Sequence, residues 1–296
     1  MRAACLIAIT IFIAACGRPS DPRISLGAAA DDAGGPAFFA CLRENNVTLL
    51  AAHRGGPSSA YPENALETFA AVTASAPVLL EIDIRQGPDE TLYLLHDATL
   101  DRTTTGAGPL QRVSRETLDA IKLRDNDGRA TGFSVPALSD ALDWADGTAI
   151  LELDIKDTPL EPVLEAIAQA GAREEVVIIA DDLEEARRIH ALDSALMISA
   201  PIYSQSDLDD VLEYGPPASN LLAWTGTRAP DFTLWKNIKS HDISIIYGAL
   251  GRFDAAQLQR ARNAGASLIV TDHWRRAART LYGADMQPDS FSCAAP

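Results

Sequence analysis

Glycine-rich phosphate loops are missing from this sequence. Neither GxGxxG nor GxxxxGK[ST] occurs in its 296 residues, which removes the usual signature of a sheet that binds nucleotides. GxSxG is absent too, and with it the nucleophile elbow of a serine hydrolase. Cysteine is scarce: there are four, with no CxxC and no Cys/His cluster, so a zinc site is not expected. Positive charge is scarce as well. Lys and Arg number 25 against 41 Asp and Glu, a net charge of −16, and no basic run is longer than Arg275-Arg276. Phosphate contacts along a nucleic acid need clustered cations, so no nucleic-acid partner is expected. The N-terminal apolar run, Leu6 to Ile13, is far shorter than the roughly 20 residues a spanning helix needs.

What is present is ordinary globular material, 47% apolar and 22% charged, enough for one large core. The start of the chain is distinctive. Arg2 precedes the short apolar run, and Ile13-Ala14-Ala15-Cys16 resembles a bacterial lipoprotein box, in which the Cys is lipidated and becomes the first mature residue. The expectation is a lipoprotein signal peptide over 1–15, lipidation at Cys16, a flexible tether over 16–36 and a catalytic domain over 37–296. Such a protein is exported and held to a membrane in the periplasm or at the cell surface. An ordinary signal peptide cut near Ala15 is the alternative. Export leaves Cys41 and Cys293, one near each end of the folded part, as a candidate disulfide.

Eight runs of strand length recur at regular spacing: 47–52, 77–84, 149–155, 175–180, 195–200, 219–224, 243–248 and 267–272. Most are nearly continuous Val, Ile and Leu, the composition of strands buried on both faces. Amphipathic segments of helical length lie between most of them, and Gly171, Gly215, Gly265 and Gly283 close four of these as left-handed caps. The pattern predicts an α/β fold, an eight-stranded parallel β/α (TIM) barrel, with a doubly wound sheet as the alternative. One connection departs from it. About fifty residues, 85–137, separate strand two from its helix, where 2–6 residues are typical. Within this insertion "ETLYLL" alternates like a short strand and leads into His96-Asp97, and a helix starts at Ser114.

Barrel chemistry sits at the C-terminal ends of strands. Strand two ends with Glu81 and Asp83 on one face, strand three with Glu152, Asp154 and Lys156 on one face. Four carboxylates and a lysine thus converge on one small volume. Like charges at that distance need protonation or a bridging cation, and oxygen ligands suit Mg²⁺ or Ca²⁺. An ion-pair network, Glu81 and Asp83 with Arg85 and Glu152 and Asp154 with Lys156, is the competing reading, and Glu152 lies deeper than Asp154. His53 ends strand one and His96 stands on the insertion, two groups able to serve as base and acid near neutral pH. Arg54 offers a bidentate fork for phosphate.

In order along the chain stand His53-Arg54-Gly55 with Pro62-Glu63-Asn64, Glu81-x-Asp83, and His96-Asp97-x-x-Leu100-x-Arg102-Thr103-Thr104 with Gly106 and Gly108. Asp154-Ile155-Lys156 and "GASLIVTD" complete the set. With these the sequence resembles the glycerophosphodiester phosphodiesterases, over about 49–281. The resemblance implies a metal-dependent barrel hydrolase that releases glycerol 3-phosphate and an alcohol from glycerophosphodiesters. It implies His53 and His96 as the acid–base pair and Glu81, Asp83 and Asp154 as metal ligands; the long insertion that carries His96 is itself expected to be mobile. Arg54 and Lys156 become phosphate contacts, with Glu63 and Glu152 as possible additions. One position departs: the family usually carries Glu where this chain has Asp154. The shorter side chain is expected to shift the ion, admit a water or recruit Glu152. A barrel glycosidase using carboxylate pairs and a non-catalytic phosphodiester-binding lipoprotein remain as alternatives.

Overall fold

A computed structural model describes residues 34–288 together with Leu26; the lipoprotein box, Cys16 and Cys293 lie outside the described residues. Helix α1 (Gly35–Glu44) precedes β1 (Leu49–Ala52), then α2 (Leu66–Thr73) and β2 (Val78–Gln86). The insertion carries β3 (Leu92–Leu94) and α3 (Arg115–Ala120), and α4 (Leu138–Ala145) ends it. From there strand and helix alternate: β4 (Leu151–Ile155), α5 (Leu160–Ala170), β5 (Val176–Ile179), α6 (Leu183–Leu192), β6 (Met197–Pro201), α7 (Gln205–Tyr214) and β7 (Leu221–Trp224). Helix α8 (Phe232–Ser240), β8 (Ser244–Ala249), α9 (Ala255–Asn263), β9 (Leu268–Thr271) and α10 (Trp274–Tyr282) complete the described chain. Eight strands pair in parallel, and β1 bonds both β2 and β9, which closes the barrel. Among the described residues no helix is long and apolar enough to cross a membrane.

Strand alternation splits the apolar residues into two sets. Val78, Leu80, Ile82 and Ile84 of β2 and Leu151 and Leu153 of β4 face the helices and join one large buried cluster. Leu79, Ile150, Val177, Met197, Leu222, Ile246 and Leu268 point inward and fill the barrel, whose base is plugged by Phe38, Phe39 and Leu42 of α1. Leu26 is buried in this same inner cluster, within the span expected to be tether, and α1 begins at Gly35 inside that span. Cys41, on α1, is disulfide-bonded.

Each strand-length run matches a barrel strand. The short alternating run became β3, antiparallel to β2 through Ile84–Leu94 and Gln86–Leu92. The insertion is not a loose loop. Tyr93, Leu95, Leu100, Leu110, Leu118, Ile121 and Leu123 bury one another with Ala65, a small core of its own that fixes the segment carrying His96. The Ser114 hydroxyl caps α3 by accepting from the Thr117 amide. Two of the four expected left-handed glycine caps differ: Gly283 takes φ 93° with ψ −163°, outside the left-handed helical region, and Gly215 has φ −83°. Glycine is needed there for space, because a Cβ would lie 2.5 Å from the Val211 carbonyl oxygen.

Candidate active site

Two adjacent strands carry the inward series Leu79-x-Glu81-x-Asp83 and Ile150-x-Glu152-x-Asp154 in register, Glu81 opposite Glu152 and Asp83 opposite Asp154. The series is apolar where it fills the barrel and acidic where it reaches the C-terminal mouth. One carboxylate oxygen each from Glu81, Asp83 and Asp154 lie within 4.8 Å of one another. A divalent ion with metal–oxygen bonds of about 2.0–2.6 Å fits such a set.

The electrostatics point the same way. Burial pushes the Glu81 carboxyl well above the usual carboxylate range, and the neighbouring Asp83 adds to the rise. Asp83 is raised by burial against the opposing hydrogen bond from Asn64 and the charges of His96 and Lys156. Burial and the charge of Asp154 push Glu152 up to about 8. Four carboxylates therefore crowd a space whose nearby cations are few. Lys156 pairs with Asp154 and stands 3.6 Å from Asp83. The pairing of Arg85 with Glu81 and Asp83 that the competing ion-pair reading requires is not formed; Arg85 donates to the His96 carbonyl and pairs with Asp157. The charge left on the cluster and its oxygen-only donors fit a divalent cation.

The loop after β1 is built around this cluster. His53–Gly55 form one tight 3-10 turn in which Arg54 takes φ 54°, ψ 34°. That left-handed backbone aims the Arg54 amide at Glu81 Oε2, 2.7 Å away. Gly55 is required: at φ +76° an added Cβ would sit 2.1 Å from Phe69 Cε1. Asn64, also left-handed, exchanges two hydrogen bonds with Asp83: its amide donates to Oδ2 at 2.8 Å, and Oδ1 accepts from the Asp83 amide at 3.0 Å. The Pro62-Glu63-Asn64 stretch thus orients a candidate ligand.

Both histidines are held by carboxylates. His53 Nδ1 lies 2.6 Å from Asp272 Oδ1, and the other Asp272 oxygen accepts from the Gly251 amide at 2.6 Å. The bond to His53 holds the Asp272 carboxyl below its usual range, so it is ionised and can only accept, and Nδ1 must donate. That leaves His53 Nε2 toward the cluster, 3.8 Å from Glu81 Oε2. His96 Nδ1 lies 2.7 Å from Asp97 Oδ1, and Asp97 is in turn gripped by Arg102 at 2.7 and 2.9 Å. Arg102 also forks onto both Glu63 oxygens at 2.8 Å. Burial would raise Glu63, but Arg102 and Arg54 outweigh it and hold the carboxyl below its usual range. Glu63 is therefore an anchor joining Arg102 to Arg54, whose Nη1 reaches it at 3.3 Å. Arg54 Nε is buried with no hydrogen-bond partner.

Residues 53–199 match the glycerophosphoryl diester phosphodiesterase family. The crystal structure of a glycerophosphoryl diester phosphodiesterase from Parabacteroides distasonis is similar with a TM-score of 0.79 and 25% identity, over 84% of this chain and 92% of that one. The chain belongs to the glycerophosphoryl diester phosphodiesterase family. A glycerophosphodiester phosphodiesterase of Caldanaerobacter subterraneus subsp. tengcongensis is 27% identical over 139 residues, 44% of this chain and 57% of that protein. The match spans a little over half the length of that relative. In fold the chain is also similar to a phosphodiesterase from Oleispira antarctica, solved with its product sn-glycerol-3-phosphate. That likeness has a TM-score of 0.67 and 16% identity, and covers 80% of this chain and 98% of that one.

Within this family member the structure brings together His53, Arg54, Glu81, Asp83, Glu152, Asp154, Lys156 and, through Glu63 and Arg102, His96. Sequence reasoning assigned no role to Asp272, Asp97, Arg102 or Asn64. Asp272 had a usable signal: it ends the last strand, and closing the barrel sets that strand beside the one that ends in His53.

Proposed function

We propose that this protein hydrolyses glycerophosphodiesters to sn-glycerol 3-phosphate and an alcohol, using a divalent cation held by Glu81, Asp83 and Asp154. The observation that carries the proposal is the three-carboxylate cluster with His53 Nε2 and the Arg54 and Lys156 side chains around it. When bound, the ion would supply Lewis-acid stabilisation of the charge that grows on the phosphoryl oxygens. Arg54 and Lys156 hold the phosphate. Arg54 Nε has no hydrogen-bond partner and lies 3.9 Å from Asp83 Oδ2, so it can donate to a phosphate oxygen without breaking the Arg54 pairing to Glu63.

His53 acts as base. Its Nδ1 proton is committed to Asp272, so Nε2 presents a lone pair toward the cluster, in reach of a hydroxyl or water placed there. His96 acts as acid, giving a proton to the departing alkoxide, with Asp97 holding the ring. Proton withdrawal and donation thus fall to two rings fixed independently, one by β9 and one by the insertion core. The Asp at 154 reaches less far than Glu would, and Glu152, directly below it on β4, is the carboxylate able to make up a ligand.

The proposal extends to location. The lipoprotein box at Cys16 supports an exported, membrane-tethered enzyme. The test of function is product analysis: purified mature protein with glycerophosphocholine and Mg²⁺ or Ca²⁺ should release sn-glycerol 3-phosphate and choline in equal amounts. Saturable binding without release of either product, with metal present, would overturn it.

A further inference from the structure

Charge is spread unevenly round the barrel. The span 252–283 holds six arginines against two aspartates, a net of +4 in a chain whose net charge is −16. The span 181–213 holds nine Asp and Glu against two arginines. The first span forms α9, β9 and α10, and the second runs from α6 through β6 to α7. Strands β5 and β6 stand four and three places round the barrel from β9, so the basic and acidic helices lie on opposite sides.

Five arginines make the basic side. Arg252, Arg260, Arg275, Arg276 and Arg279 are exposed, and none joins an ion pair among the described residues. The sixth, Arg262, donates to the Leu281 carbonyl at 2.6 Å. Both aspartates of the span are engaged elsewhere. Asp254 caps α9 by accepting from the Ala256 and Gln257 amides, and Asp272 holds His53 and the Gly251 amide. On α10 the buried Trp274, Ala277, Ala278 and Leu281 take one face, which leaves Arg275, Arg276 and Arg279 on the other. Two guanidinium groups are held by stacking: Arg275 lies 4.9 Å from the centre of the Trp274 ring, and Arg276 lies 4.1 Å from that of Phe253. Cations ordered in this way lose less freedom when they meet a partner. The exposed large apolar side chains, Tyr61, Leu192, Tyr203, Leu212, Tyr214 and Phe232, all lie outside this span.

A protein partner is gripped through buried aromatic and aliphatic anchors, which this side does not offer. Forked cations without such anchors suit a plane of phosphates. We infer that the α9–α10 side of the barrel is a docking surface for an anionic lipid bilayer, with its arginines on the lipid phosphates and the acidic α6–α7 side turned to water. Helices α9 and α10 flank the barrel, so docking lays the barrel axis along the bilayer and opens the mouth sideways, with Arg252 at the rim. The inference stands on these two helices and requires neither turnover nor lipid at Cys16.

The test uses the full chain with Cys16→Ser, so that an attached lipid does not mask the surface. The protein is sedimented at low salt with vesicles of phosphatidylglycerol mixed equally with phosphatidylcholine, and with vesicles of phosphatidylcholine alone. Chelator is present so that no divalent ion bridges protein and lipid. Binding should favour the anionic vesicles, and the preference should vanish at high salt. Each arginine removed from an anionic surface should cost about 5-fold in partitioning, so Arg275→Gln with Arg279→Gln should weaken binding about 30-fold, and Arg260→Gln alone about 5-fold. Arg187→Gln with Arg188→Gln, on α6, changes the net charge as much as the α10 pair and should leave binding unchanged. Melting curves of all variants should match the wild type. Equal binding to both kinds of vesicle, or equal losses in the α6 and α10 pairs, would overturn the inference. Self-association in place of vesicle binding, abolished by the α10 pair, would overturn it in favour of a second copy of the chain. A drop in kcat/KM on soluble glycerophosphocholine in the α10 pair, with vesicle binding unchanged, would overturn it in favour of substrate steering.

Discussion

Asp272→Asn isolates the part of the site that works through another residue. Asp272 accepts from His53 Nδ1 at 2.6 Å and from the Gly251 amide at 2.6 Å, and is not placed on substrate. An Asn at this position keeps the shape and loses the charge. Two consequences add. The charge-assisted bond that supports the imidazolium formed during proton transfer is lost, worth about 1.5–3 kcal/mol, or roughly 10–150-fold in rate. The Asn can also present its NH₂ to Nδ1, which favours the tautomer with the proton on Nε2 and so removes the lone pair that faces the cluster. Together these should lower kcat by about 10²–10⁴, with KM and thermal stability little changed. Steady-state kinetics on glycerophosphocholine at saturating metal, with a melting curve beside them, make the measurement. The double variant His53→Ala, Asp272→Asn should be no slower than His53→Ala alone, because the two residues act as one unit. A single Asp272→Asn enzyme within about 3-fold of wild type, or a double variant that shows both losses in full, would refute the role of Asp272.

Other outcomes follow from the same geometry. In metal-free protein Glu152 rises from 4.5 to about 8 on folding, so its contribution to stability is intact below pH 4.5 and is lost as pH rises toward 8. The loss is on the order of 4 kcal/mol from this group alone; denaturant titrations of chelated protein should show stability falling over that window and Mg²⁺ or Ca²⁺ restoring it. Gly55→Ala should destabilise by about 3 kcal/mol or more, since its Cβ would sit 2.1 Å from Phe69 at φ +76°; a wild-type urea midpoint would contradict this. Cys16→Ser should release a soluble or uncleaved form on cell fractionation, and an unchanged processed membrane form would refute lipidation.

The barrel was legible because parallel strands are buried on both faces. Their Val, Ile and Leu runs need no alternation to be seen, and every one of the eight is a strand. Glu81-x-Asp83 and Glu152-x-Asp154 were legible for the opposite reason: charge in such a run is costly, and a spacing of two fixes its side. The contacts that tie the site together were not. Asp272 meets His53 only when β9 closes on β1, 219 residues apart. Arg102 reaches Glu63 across 39 residues, and no local pattern distinguishes that fork from a solvated arginine. The insertion was expected to be mobile because its length dominated the reading, whereas its scattered Leu and Ile pack into a core only once β3 pairs with β2.

The most direct measurement of the central claim is release of sn-glycerol 3-phosphate from glycerophosphocholine by purified mature protein, first after exhaustive chelation and then with Mg²⁺ or Ca²⁺ returned, wild type beside Asp83→Ala. The account predicts no turnover in chelator, recovery of the wild type with one of the two ions, and no recovery in Asp83→Ala, whose buried ligand oxygens are gone. Full activity in excess chelator, or an Asp83→Ala enzyme that recovers like the wild type, would contradict it.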